Sequence, residues 1–172
     1  STSSAYAALA ERIRAWGREL GFQQIGIADT SIPQDEAHLG RWLELGRHGE
    51  MGYMERHGLR RARPQELVPG TLRVISARMD YLPPNARPAT EVLHDPTLGY
   101  VSRYALGRDY HKVLRRRLAR LAERIEAEVA GTRYRVFVDS GPVLEKAFAR
   151  NAGLGWIGKH TNLIHSRAGS WF

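Results

Sequence analysis

At 172 residues the chain can bury one sizeable core, joined at most by a smaller lobe, and hardly two large domains. Apolar residues make up 42% and charged residues 26%, no apolar run approaches a membrane span, and the opening Ser-Thr-Ser-Ser lacks the form of a signal peptide, so a cytoplasmic protein with no membrane partner is expected. The net charge of +8 and pI near 10.3 suit an anionic partner or reflect an arginine-rich composition alone, whereas the absence of cysteine excludes a disulfide, a thiolate zinc site or an iron–sulfur cluster held by this segment.

In chain order, Leu9, Ile13, Trp16 and Leu20 recur at helical spacing within residues 5–20, an amphipathic helix stopped by Gly21. Phe22 to Ala28 reads as a short strand, and Leu39, Trp42 and Leu43 mark a second helix over 35–46, closed by Gly46. Residues 50–68 break into short helical pieces and loops carrying Arg56, Arg60, Arg61 and Arg63. Thr71 to Leu82 alternates over Ile75, Ala77, Met79 and Tyr81, a strand ended by Pro83-Pro84-Asn85. Residues 84–98 read as an exposed loop and Val101 to Leu106 as another short strand.

Asp109 is placed to cap the longest helix, roughly 110–130, whose buried face is Leu114, Leu118, Leu121, Ile125 and Val129. The other face carries Lys112, Arg115, Arg116, Arg117, Arg120 and Arg124, which either follows a phosphate backbone or is a solvated face. Arg133 to Val138 reads as a strand, Pro142 as the first turn of a helix ending near Gly153, and Thr161 to Ile164 as extended chain. Strands alternating with helices predict an α/β fold, in its α+β sandwich form.

The stretch Gly153-Leu-Gly155-Trp-Ile-Gly158-Lys159 matches both Gly-x-Gly-x-x-Gly and most of a P-loop. His160 stands where a P-loop needs Ser or Thr, and a helix precedes the glycines where both fingerprints need a strand, so neither nucleotide site is expected. A ligand-lining loop remains open. Asp139 ends the 133–138 segment just before Ser140-Gly141-Pro142, where α/β proteins open ligand crevices; the alternative is a helix-capping aspartate. No His-x-x-x-His pair, Gly-x-Ser-x-Gly elbow or cysteine nucleophile is present, and no metal ligands are assigned.

Several segments together resemble epoxyqueuosine reductases. These are Gly21-Phe-Gln-Gln-Ile-Gly-Ile-Ala28, His48-Gly-Glu-Met-Gly-Tyr53, Arg61-Ala-Arg-Pro64 and Leu67-Val-Pro-Gly70. They continue with Ser102-Arg-Tyr-Ala-Leu-Gly-Arg-Asp-Tyr-His111, Val138-Asp-Ser-Gly-Pro-Val-Leu-Glu-Lys146, and Ala152-Gly-Leu-Gly-Trp-Ile-Gly-Lys159 running on to Gly169-Ser-Trp-Phe172. The match covers essentially the whole chain in order.

The resemblance implies that residues 1–172 are an N-terminal cobalamin-binding domain, similar in fold to B12 reductive dehalogenases and B12-processing proteins. It implies a longer enzyme whose ferredoxin-like domain, absent from this chain, carries two [4Fe–4S] clusters. The implied reaction converts epoxyqueuosine to queuosine at the wobble position of tRNA, with base-off cobalamin, an external electron donor and tRNA as partners. By motif position Asp139 is the implied proton donor, buried beside an apolar corrin face. The implied cobalamin contacts are Arg61, Ser102, Arg103, Tyr104, Asp139 and the loop Lys159, His160, Thr161 and Asn162. Some relatives carry cysteine near position 102, where this chain has serine. Asp109-Tyr110-His111 begins like the Asp-x-His-x-x-Gly motif of cobalt-ligating proteins, but Leu114 replaces the glycine, so His111 is not expected to ligate cobalt. Without the cluster domain this chain alone is expected to be inactive. The rival readings are a non-catalytic B12-handling module and a basic RNA-binding module without cofactor.

Overall fold

The computed structural model describes residues 2–82 and 84–172; Ser1 and Pro83, the latter expected to help end the second strand, lie outside the described residues. Helix α1 (Thr2–Glu19) and strand β1 (Gln24–Ala28) open the chain, followed by α2 (Pro33–Glu44) and α3 (Gly52–His57). A 3-10 turn (Gly58–Ala62) leads into α4 (Pro64–Leu67), β2 (Val74–Arg78) and α5 (Ala89–His94). After a second 3-10 turn (Arg103–Ala105) come α6 (Tyr110–Glu128), α7 (Glu145–Asn151) and the hairpin β3 (Trp156–Ile157) and β4 (Leu163–Ile164).

Strands β1 and β2 pair antiparallel, with Ile25 opposite Ala77 and Ile27 opposite Ile75. Side chains alternate across a strand, so these residues share one face. That face packs under α1 and α6, where Ile13, Phe22, Ile25 and Leu121 are buried among Leu9, Trp16, Met79, Leu114 and Leu118. The helical spacing of four, three and four in α1 and the Leu114–Ile125 stripe of α6 supply this layer.

The opposite face of the sheet receives α7. A Cβ at Gly26 would lie 2.6 Å from the Ala152 backbone oxygen and 2.1 Å from Leu154 Cδ1, so glycine lets the end of α7 sit directly on the strand. Ile32, Ala62, Ala147 and Phe148 form a second buried cluster with Val74, Val143 and Leu144 against it. The result is a helix–sheet–helix arrangement. Among the described residues both strand pairs are antiparallel, which makes the fold a mixed α+β one with a small sheet, without a parallel α/β core.

Several expectations are corrected. The second strand is only Val74–Arg78, not 71–82, because β1 offers only five partners. Residues 84–98 contain α5, and 101–106 contain a 3-10 turn in place of a strand. Arg133–Val138 is not a strand, since no neighbouring strand pairs with it among the described residues. The next helix begins at Glu145, not Pro142. Val129, expected in the buried face of α6, is exposed because the helix stops at Glu128. Within the basic face, Arg117 is partly buried and hydrogen-bonds the Gly21 carbonyl, and Arg124 pairs with Glu19. Among the described residues no helix is long and apolar enough to cross a membrane.

Candidate functional site

The start of α6, the loop before α7 and the first turn of α7 converge on Asp139. Asp109 caps α6 as expected, accepting the backbone N–H of His111 at 3.0 Å. This puts Tyr110 and His111 in the first helical turn, facing the 138–144 loop. The Tyr110 hydroxyl donates to Asp139 Oδ2, and His111 Nε2 lies 3.3 Å from the same oxygen. Asp139 itself adopts φ of 54°, the left-handed region that a non-glycine residue rarely occupies.

Asp139 is not a helix cap. Leu144 occupies the cap position of α7, and no side chain caps that helix. The Asp139 side chain is 54% exposed, so the buried environment expected for it is not supplied by this chain's own residues. It stands at the rim of a groove of about 560 Å³. The floor is apolar, from Leu39, Trp42, Met54, Val143 and Leu144 among others, and Arg61, Glu145 and Lys146 add charge.

Burial pushes the Glu145 carboxyl up, and the Asp139 charge adds to this; the backbone N–H of Asp139 and the charge of Lys146 oppose it. Among the described residues Glu145 Oε1 is buried without a hydrogen-bond partner, as are Arg61 Nε and His48 Nδ1. The hydrogen bond to Asp139, followed by burial, pushes the Tyr110 phenol up to about 12, so it remains a donor throughout the neutral range. His111 is the largest influence on Asp109, and holds its carboxyl below the usual range.

The residues singled out in the sequence fall into three groups. Arg61 lines the groove with Asp139; its guanidinium donates to the Tyr53 carbonyl at 3.2 Å and faces the Tyr53 ring. Tyr104 meets Tyr110 edge to face at 5.9 Å, and through it reaches Asp139. Ser102 and Arg103 flank it, with Ser102 accepting Ala105 N–H through its carbonyl and Arg103 bonded to the Arg87 carbonyl. Thr161 and Asn162 are tied to the groove by Lys146, whose ammonium donates to the Thr161 carbonyl and to Asn162 Oδ1, each at 2.9 Å. His160 turns toward Ser170, 3.3 Å away, and Lys159 is exposed.

The glycines of the 153–158 stretch serve the hairpin: a Cβ at Gly155 would lie 2.1 Å from the Ile164 backbone oxygen. Of that stretch, Ile157 reaches the groove lining. In the arginine cluster at 56–63, Arg63 is paired to Glu36 and Glu66, and Arg60 to Glu66. Sequence reasoning passed over Glu145 and Tyr110 and weighed His111 only as a cobalt ligand. The cap signal at Asp109 could have placed the last two, since it fixes where the first turn faces.

The fold defines a class: a mixed helix-and-small-sheet domain shared with solved epoxyqueuosine reductases, which here carries a carboxylate at the rim of an open groove. One such structure, with a tRNA-Tyr epoxyqueuosine-modified tRNA stem loop, has a TM-score of 0.77 at 22% identity, over 96% of this chain and 43% of that one. Another, from Bacillus subtilis and described with its aspartate catalytic loop swung out of the active site, has a TM-score of 0.74 at 20% identity, over 96% and 43%. Residues 61–140 match the family model described as "Epoxyqueuosine reductase QueG, DUF1730". The chain is 64% identical to the epoxyqueuosine reductase of Pseudomonas aeruginosa over 96% of its own length. Over nearly its whole length the chain is thus similar to epoxyqueuosine reductases. The chain spans a little under half the length of that relative, 46%.

Proposed function

We propose that this chain is the cobalamin-binding part of a longer reductase that converts epoxyqueuosine to queuosine in tRNA, with Asp139 as the proton donor. The observation that carries the reading is the position of Asp139: a left-handed, half-exposed carboxylate at the groove rim, held by Tyr110 and faced by His111. Sequence similarity to curated epoxyqueuosine reductases, 64% in one case, supports the reaction class. The relative solved with a modified tRNA stem loop supports the substrate. A relative whose catalytic loop carries an aspartate supports the role of Asp139.

The groove fits cobalamin in kind. Its apolar floor suits a corrin face, and Arg61, Glu145 and Lys146 in its lining offer polar groups to ring amides. Arg61, Tyr104, Thr161 and Asn162 would hold the ring's periphery, with Ser102, Arg103, Lys159 and His160 beside them. When bound, the cofactor supplies the electrons that no side chain can provide, fed from iron–sulfur clusters outside this cysteine-free chain by an external donor. Seating a ligand over the groove would bury Asp139 and exclude water from it, which favours the acid form that proton donation requires. Fold kinship with B12 dehalogenases and B12-processing proteins belongs to the same reading.

The test is Asp139→Asn in the full-length enzyme. Asparagine preserves size and hydrogen bonding but cannot give up a proton. Queuosine formed in tRNA should fall roughly a hundredfold or more, with cofactor absorbance unchanged. Wild-type turnover with normal spectra would end the proton-donor assignment and move that role to Tyr104 or His160.

A further inference from the structure

His111 joins two carboxylates. Its Nε2 faces Asp139 Oδ2 at 3.3 Å, and its Nδ1 faces Asp109 Oδ1 at 3.1 Å. Asp109 also accepts the His111 backbone N–H, so one residue sets both the helix start and the ring's direction. The hydrogen bond made by one ring nitrogen determines the role of the other. With Nδ1–H held on Asp109, Nε2 is the nitrogen left beside Asp139. Tyr110 stacks on the ring at 4.0 Å and donates to the same Asp139 oxygen, which keeps all three groups in register. The His111 side chain is 48% exposed, so its ring meets solvent as well as Asp139.

The charged and titratable groups around this pair come from three elements. Asp109, Tyr110 and Lys112 belong to α6 and its cap, Tyr104 comes from the preceding 3-10 turn, and Glu145 with Lys146 comes from α7. A half-exposed imidazole beside a carboxylate gives that carboxylate a route by which a proton reaches it from solvent.

We propose that His111 holds the proton that Asp139 delivers. This rests on the reading of Asp139 as proton donor. The His111 imidazolium passes its Nε2 proton to Asp139 Oδ2, and the ring becomes neutral while keeping Nδ1–H on Asp109. Asp139 gives that proton to the leaving oxygen of the substrate and returns to carboxylate. Water then reprotonates the ring. The transfer moves one proton and no electrons. His111 is a positioning residue, since it acts through Asp139 and does not touch the substrate.

The experiment compares His111→Gln, Asp139→Asn and Asp109→Asn in the full-length, cofactor-loaded enzyme across pH 5 to 9. In the wild type, turnover should decline as pH rises through the range where imidazole loses its proton. His111→Gln should lose that decline, run roughly ten- to a hundredfold slower at pH 7, and regain part of its rate when imidazole is added. Asp139→Asn should be slow at every pH and unaffected by imidazole. Asp109→Asn, which still caps the helix, should show a several-fold loss and thus keeps the proposal testable should His111→Gln not fold. If Asp139→Asn retains turnover, the donor reading fails and the proposal with it. If Asp139→Asn is slow while His111→Gln and Asp109→Asn keep the wild-type rate and pH profile, the proposal alone is overturned.

Discussion

Replacing Glu145 by glutamine is expected to stabilise the fold at pH 8 and to leave it unchanged in acid. Glu145 Oε1 is buried and meets no donor, and burial is the main influence raising its pKa, ahead of the Asp139 charge. Because folding raises this pKa, the folded state holds more protons than the unfolded one from the ordinary glutamate value, about 4.3, up to the raised value. Stability therefore falls as pH rises through that window and stays lower above it. Glutamine removes the charge and keeps an oxygen for the Asp139 N–H. A buried polar group without a partner costs about 1–3 kcal/mol and more when it is charged; glutamine removes only that charged excess, so the variant should gain about 1–2 kcal/mol at pH 8 and nothing in acid. In a chain of this size each kcal/mol moves Tm by about 2–4 °C, and the gain should be about 2–8 °C. Circular dichroism melts of both proteins at pH 4 and pH 8 measure it. A gain of equal size at both ends, or a loss at pH 8, would refute the burial argument. A carboxylate kept at a cost to stability beside Asp139 is what a functional site retains.

Two further outcomes test the fold and the RNA surface. Phe148→Ala empties a fully buried position beneath the groove and should destabilise the chain by about 3–5 kcal/mol. It should also lower the urea midpoint by at least about 1 M; a smaller shift would mean that the α7 layer is not tightly packed. Reversing Arg115, Arg116 and Arg120 to glutamate in the full-length enzyme should weaken tRNA binding, since among the described residues none of these three makes an ion pair. For every phosphate that is no longer neutralised, the log–log salt slope should shrink by about one unit, and an unchanged slope would assign that face to solvation.

Local order was legible in the sequence wherever one residue or one periodicity decides the outcome. Leu9, Ile13 and Trp16 at helical spacing marked α1, and the alternation of Ile75, Ala77 and Met79 marked the buried face of β2. Asp109 marked the start of α6 because capping is an interaction within three residues. The motif segments carried the resemblance by themselves, and the similarity to curated epoxyqueuosine reductases bears it out. Tertiary structure decided what depends on partners distant in sequence. Arg133–Val138 has strand-like residues and, among the described residues, no strand beside it, so it stays irregular. Gly155 belongs to a hairpin and not to a phosphate loop, because Ile164 lies against it. The gathering of Asp109, His111, Asp139 and Glu145 at one rim spans 37 positions of sequence. No spacing rule predicts it, since hydrogen bonds and ion pairs between separate elements form only once two hydrophobic layers have closed on the sheet and brought α6 and α7 together.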